Sequence, residues 1–177
     1  MHSIDEIADL FRNVPDFPKE GILFKDVTTV LTHPGALGDS VTHLLRLLDD
    51  INFDAVAAVE SRGFMFGGIV ADRLNIPLVL IRKPGKLPAD VISEDYTLEY
   101  GTNTIEMHRD SLAKGSKVLI IDDLVATGGT ALAAAELIRR DGSLPVAAAF
   151  LMDLRFLGGA GRLEDSGVPV RSLIKID

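Results

Sequence analysis

Val118-Leu-Ile-Ile-Asp-Asp-Leu-Val-Ala-Thr-Gly-Gly-Thr130 is the stretch that decides the fold. Its apolar opening, Val118–Ile121, reads as a strand buried on both faces, and it delivers Asp122 and Asp123 to its carboxyl end. The chain then turns through Ala126–Gly129 into a helix that begins near Thr130. Gly128 and Gly129 permit backbone conformations that aim successive N–H groups inward. Thr127 and Thr130 add hydroxyls, and the helix amino terminus adds partial positive charge. Ala126–Thr130 therefore reads as a cradle for a phosphate monoester. Asp122 and Asp123 then sit about one sugar away, placed to accept hydrogen bonds from ribose hydroxyls or to hold a hydrated Mg²⁺.

Working outward, the pattern is strand Lys117–Ile121, helix Thr130–Arg140, strand Val146–Leu151. A unit of the same type lies upstream: strand Ala55–Val59, helix Met65–Leu74, strand Pro77–Arg82. Two β-α-β units with continuous apolar strands imply a mostly parallel central sheet flanked by helices, an α/β fold whose ligands bind beyond the carboxyl ends of the strands. Ser3 and Glu6 form a capping box for a first helix that ends before Pro15. A second helix follows Pro34, with Leu37, Val41, Leu44, Leu45 and Leu48 at helical spacing. Lys83–Lys114 differs in kind. The alternation of residues 96–100 and 104–108 predicts a hairpin with its turn at Gly101-Thr-Asn, and aperiodic Pro84–Asp90 is a lid candidate.

Length and charge exclude several classes. The 177 residues make one domain, and 18 Lys and Arg against 26 Asp and Glu leave a net charge of −8. An acidic surface disfavours nucleic-acid and anionic-membrane partners, so an anionic ligand needs a local basic cluster. There is no cysteine for a disulfide or thiolate site. The acidic start is not a signal peptide, and no apolar run approaches the roughly 18 residues that span a bilayer, which reads as cytoplasmic. No Walker loop occurs, and Gly158-Gly-Ala-Gly-Arg neither has dinucleotide-fingerprint spacing nor is expected between a strand and a helix. His2, His33, His43 and His108 are scattered without metal-ligand spacing, and no Gly-x-Ser-x-Gly elbow points to hydrolysis.

Asp122–Thr130 resembles the phosphoribosyl-diphosphate (PRPP) motif of the type I phosphoribosyltransferases. Three further segments, Pro15–Asp26, Glu60–Gly67 and Ile81–Pro88 running on to Tyr96–Gly101, are similar to the adenine-specific branch of that family, in the family's order and over nearly the whole chain. The resemblance implies the type I fold with a small hood (residues 1–33) and a flexible lid hairpin (83–110). It implies an enzyme of purine salvage that uses Mg²⁺, takes adenine and PRPP to AMP and pyrophosphate, and works as a homodimer.

Each segment carries its own chemistry. Glu60-Ser-Arg-Gly follows a strand, so Arg62 lies at the sheet's carboxyl edge, where a guanidinium grips two oxygens of a diphosphate. The resemblance assigns Ser61 and Arg62 to pyrophosphate. Arg82, Lys83 and Lys86 place three cations within five residues, and the resemblance puts them on the same leaving group, some reaching across the dimer. It assigns the adenine pocket to Leu23, Phe24 and Lys25, with an aromatic face for the purine and backbone groups for its edge. It makes Glu99 the general base for the proton adenine loses and Tyr100 a residue that orders the closed site. Read without the resemblance, Phe24 is a core residue and Lys86 a solvated cation as readily as a ligand. Transfer to hypoxanthine, guanine or xanthine stays open, as does, more remotely, a PRPP-sensing regulator. Val125, in place of a commoner leucine, is neutral, and the tail Ser172–Asp177 is assigned no role.

Overall fold

The computed structural model describes residues 1–177 apart from Pro18, Ile22 and 98–101. In chain order its elements are α1 (Ile4–Asp9), β1 (Arg12–Pro15), β2 (Leu23–Asp26), α2 (Thr28–Thr32), α3 (Ala36–Leu47), β3 (Ala55–Val59), α4 (Gly63–Leu74), β4 (Leu78–Ile81), β5 (Val91–Thr97), β6 (Thr102–His108), β7 (Lys117–Val125), α5 (Gly129–Arg140), β8 (Leu144–Leu154), a short 3₁₀ turn (Arg155–Leu157), α6 (Gly159–Asp165) and β9 (Val170–Ile176).

Five strands form one parallel sheet in the order β4-β3-β7-β8-β9. The alternation of β7 explains why helices cover both faces. Leu119 and Ile121 pack into one apolar layer with Val41 and Leu44 of α3 and Phe66 and Val70 of α4. Val118 and Ile120 pack into the other, with Leu137 and Ile138 of α5 and Leu163 of α6. Small residues set the spacing: a Cβ on Gly67 would stand 2.6 Å from Ala58 Cβ, so α4 lies on the sheet only because that position carries no side chain. From β3 the chain moves outward to β4, then returns to the far side of β3 for β7. Such a reversal leaves a crevice at the carboxyl ends of the two inner strands, where open α/β sheets bind ligands.

Several expectations need correction. The hairpin exists as β5 and β6, but Thr102 and Asn103 belong to β6, which pairs Thr97 with Thr102, so the connection is 98–101 and lies outside the described residues. Core alternation sets that register, because Ile92, Ile105 and Met107 all turn into the α5 layer. The tail, to which the sequence pattern assigns no functional role, forms β9, an edge strand that buries Leu173 and Ile174 while carrying charged Arg171 and Lys175. Gly158-Gly-Ala-Gly-Arg does lie between a strand and a helix, after β8 and into α6, because a one-turn 3₁₀ segment closes the gap. Three of the four histidines are less scattered than their spacing implies, while His108 stands apart on β6. His2 Nδ1 lies 2.7 Å from Asp39, its ring meets His33 edge to face at 5.1 Å, and His43 Nε2 lies 2.8 Å from the His2 carbonyl.

Ahead of the sheet, β1 and β2 pair antiparallel in a small unit of their own, an element the sequence pattern did not resolve. Arg12 closes it, donating to Asp26 from Nη2 at 2.5 Å and Nε at 3.0 Å, while Thr28 donates its N–H and hydroxyl to the other oxygen. Arg12 first, then Thr28, holds the Asp26 carboxyl at about 2, below its usual 3.8. A depressed carboxyl pKa stabilises the folded state above the unfolded value, and the stabilisation fades as pH falls through the folded one. Asp26→Asn should therefore cost up to about 1 kcal/mol at neutral pH, the pair being half open to solvent. In urea titrations, the gap to the unsubstituted protein should close as pH falls from about 4 to about 2.

Candidate functional site

A cavity of about 290 Å³ opens at the carboxyl ends of β3 and β7. Glu60 and Arg62 line it from the β3–α4 turn, Lys83 from the end of β4, Tyr96 and Ile105 from the hairpin, and Asp122–Ala131 as an unbroken run. A hollow of about 150 Å³ beside it shares Glu60, Arg62, Lys83, Asp122 and Asp123 and adds Ser61. The strand reversal thus brings together segments some 60 residues apart in sequence, and most of the residues singled out above converge here.

Ala126–Thr130 forms the turn into α5. Gly128 takes φ +81°, which L side chains rarely adopt, and as the N-cap residue it offers no side chain to the first N–H groups of the helix. Behind the turn, the Gly159 N–H donates to the Ala126 carbonyl at 3.0 Å and Arg162 Nη1 donates to the Thr127 carbonyl at 3.1 Å.

Asp123 is buried and accepts from Arg62 Nε at 2.5 Å, whereas Arg62 itself is 40% exposed. Desolvation works against the Arg62 charge, but the bond to Asp123, with Asp122 and Asp26 nearby, outweighs it and raises the guanidinium pKa. Asp122 takes the Asp123 N–H on Oδ1 at 2.8 Å. Burial first, then the neighbouring Asp123 charge, pushes its carboxyl well above the usual range. Of the two acids Arg62 bonds Asp123 alone, and Asp122 lies close enough to feel its charge without a hydrogen bond to it. Among the described residues no group of three or more His, Cys, Asp or Glu could hold a metal, and a cation here would need oxygens from its ligand as well.

The basic loop is strapped down by acids. Glu60 accepts from Arg82 Nε at 3.3 Å and from the Lys83 N–H at 2.9 Å, while the Gly85 N–H donates to Glu106 at 3.0 Å. Burial opposes the Glu60 charge, but the Lys83 N–H and Arg82 outweigh it and lower its pKa. Arg82 also lies 5.8 Å over the Phe64 ring and donates to the Lys86 carbonyl at 2.9 Å.

Other expected residues do not line the cavity. Lys86 is exposed and lines neither hollow. Leu23, Phe24 and Lys25 stand on β2: Leu23 is exposed, Phe24 meets Phe17 edge to face at 5.1 Å, and Lys25 Nζ donates to Asn13 at 2.6 Å. Phe24 is half-buried on the small sheet and is not part of the core. Glu99 and Tyr100 lie outside the described residues. Glu60, Tyr96, Gly159 and Arg162 are additions. Glu60 was legible as the residue next to Ser61 and Arg62, whereas no local signal points from Gly159 or Arg162 to a loop some 30 residues away.

Residues 27–176 match the model of the phosphoribosyl transferase domain. The chain is 48% identical over 175 residues to an adenine phosphoribosyltransferase of Erythrobacter litoralis, covering 99% of this chain and 98% of that one. An adenine phosphoribosyltransferase structure from Thermoanaerobacter pseudethanolicus superposes with a TM-score of 0.93 at 45% identity, covering 98% and 100% of the two chains. The enzyme of that name from Saccharomyces cerevisiae, complexed with an imino-altritol bisphosphate and adenine, superposes at 0.88 with 35% identity, covering 96% and 97%.

Gly63 is a close joint between the two halves of the site. A Cβ there would stand 2.7 Å from the Ile121 carbonyl and 3.0 Å from Asp122 Oδ1. Gly63→Ala must push the start of α4, and Arg62 with it, off β7. It should cost about 1–3 kcal/mol in urea unfolding and weaken the binding of inorganic pyrophosphate measured by calorimetry.

Proposed function

The chain belongs to the phosphoribosyl transferase family, and on that premise we propose that it transfers the phosphoribosyl group of PRPP to adenine, yielding AMP and pyrophosphate in purine salvage. One observation carries this reading: a single cavity joins a backbone anion cradle at the start of α5 to Arg62 and Lys83 beyond β3 and β4, with Asp122 and Asp123 in the same wall. PRPP is a ribose with a phosphate at one end and a diphosphate at the other, and it needs two such anion sites about a sugar apart. The names of the relatives, and the adenine and bisphosphate bound by the yeast enzyme, support adenine as the base.

In this reading Ala126–Thr130 holds the 5′-phosphate of both PRPP and AMP through backbone N–H groups and the hydroxyls of Thr127 and Thr130. Asp122 and Asp123 accept from the ribose hydroxyls. As a ring nitrogen of adenine bonds to C1′, the C1′–O bond to the diphosphate breaks, and positive charge develops on the ribose beside these carboxylates. Ser61, Arg62, Arg82, Lys83 and Lys86 receive the departing negative charge. Leu23, Phe24 and Lys25 hold the base, Glu99 takes the proton that adenine loses, and Tyr100 helps shut water out. Asp122 and Asp123 are the acids that would hold a hydrated Mg²⁺ through its waters, and the ion would screen the diphosphate charge. The resemblance further implies a cytoplasmic homodimer in which side chains of the basic loop reach the neighbouring site.

The deciding assay mixes protein, Mg²⁺ and PRPP with each purine in turn. Adenine should give the fastest nucleotide formation, and a faster reaction with hypoxanthine or guanine refutes the base assignment. Thr127→Ala and Asp123→Asn should each raise the KM for PRPP by about tenfold while the protein stays folded. Glu99→Gln should lower kcat by about 100-fold with little change in that KM.

A further inference from the structure

We propose that the start of α6 is a brace that sets the direction of the phosphate loop's N–H groups, with Gly159 and Arg162 as its positioning residues. The inference rests on Ala126–Thr130 being the 5′-phosphate site.

The argument comes from peptide geometry. A trans peptide is planar, so a carbonyl and the N–H that follows it point in opposite directions. The Ala126 carbonyl is held by the Gly159 N–H at 3.0 Å, which turns the Thr127 N–H away from α6. The Thr127 carbonyl is held by Arg162 Nη1 at 3.1 Å, which turns the Gly128 N–H away from α6 as well. The cavity lies on that other side: its lining runs through Ala126–Ala131 and, among the described residues, takes in none of α6. Holding two consecutive carbonyls from behind therefore presents two consecutive N–H groups to the cavity. An anion gains most from donors aimed before it arrives, because no reorientation is then needed on binding.

The fit at the brace is backbone against backbone. A Cβ on Gly159 would stand 2.2 Å from the Ala126 carbonyl oxygen and 2.5 Å from the Gly128 nitrogen, and a Cβ on Gly128 would stand 2.7 Å from the Gly159 carbonyl. None of these atoms is the end of a flexible side chain, so substitution at Gly159 must move the loop. Arg162 reaches the loop from one turn further along α6 with its side chain exposed, so it can be replaced without opening the core. Neither residue touches substrate in this arrangement, and each acts through the loop.

The test compares AMP with adenosine, which differ only in the 5′-phosphate. Arg162→Ala should weaken AMP binding and raise the KM for PRPP by about fivefold, with adenosine binding and kcat changed less than about twofold. Arg162→Lys, which keeps a donor on a long stem, should recover most of the loss. Gly159→Ala should lose at least about tenfold in AMP affinity. Should that variant fail to fold, the exposed Arg162 variants still decide the matter. Unchanged AMP binding in Arg162→Ala overturns the brace, as does an equal loss of AMP and adenosine affinity, which would mark a merely structural contact. If the unsubstituted protein transfers to adenine and Arg162→Ala behaves like it, only the brace fails. If the unsubstituted protein neither binds AMP nor uses PRPP, the parent reading falls, and the brace with it.

Discussion

Arg62 and Asp123 tie the carboxyl end of β3 to that of β7 at the one place where the sheet's order reverses. The two strands pair as far as Ala58 and Ile121, their onward connections then part, and a guanidinium reaches across the opening this leaves. Asp123 is buried, so removing Arg62 would leave a carboxylate with neither water nor partner, a loss of about 3–5 kcal/mol for a fully buried pair and less here, since Arg62 is partly solvated. Much else hangs on this join. Gly63 and Gly67 let α4 lie close enough to present Arg62, and Asp122 is crowded against Asp123 by the same geometry.

Charge is distributed to the same end. The chain carries −8 overall, yet its cavity gathers Arg62, Lys83 and the amino terminus of α5. Glu60 and Glu106 spend their charge on the main chain of the basic loop, at Lys83 and Gly85, which holds cationic side chains beside the site. An acidic surface and a local cluster of cations are compatible because the Debye length, about 8 Å in physiological salt, confines each to its own neighbourhood.

The fold was legible wherever a pattern was local and strong. The strands around Ala55–Val59 and Val118–Ile121, the Ser3–Glu6 cap and the turn into α5 all follow from side-chain period or from a few adjacent residues. Elements that depend on a neighbour for their definition were harder to read. The sequence of β9 mixes Arg171, Ser172 and Lys175 with its apolar residues and becomes a strand by pairing with β8. The hairpin turn moved because the partnership of Ile92 with Met107, not the Gly-Thr-Asn tripeptide, sets the register. The four-residue strands β1 and β2 carry too few residues for alternation to stand out.

By itself the amino-acid sequence determined the α/β class, the glycine-rich turn into α5, and the acids and cations that meet at the cavity, because each is written in consecutive residues whose chemistry depends little on what lies far away. Only the tertiary structure decided which of them meet. It set Arg62 on Asp123, gave Glu60 the task of holding Arg82 and Lys83, and left Leu23, Phe24 and Lys25 on a separate small sheet outside the cavity lining. It also seated Gly159 and Arg162 behind a loop more than 30 residues earlier. The physical reason is that a strand order, unlike a strand, is a property of the whole chain: β7 lies beside β3 only after β4 has taken the other side, and the site exists only where that choice leaves a crevice.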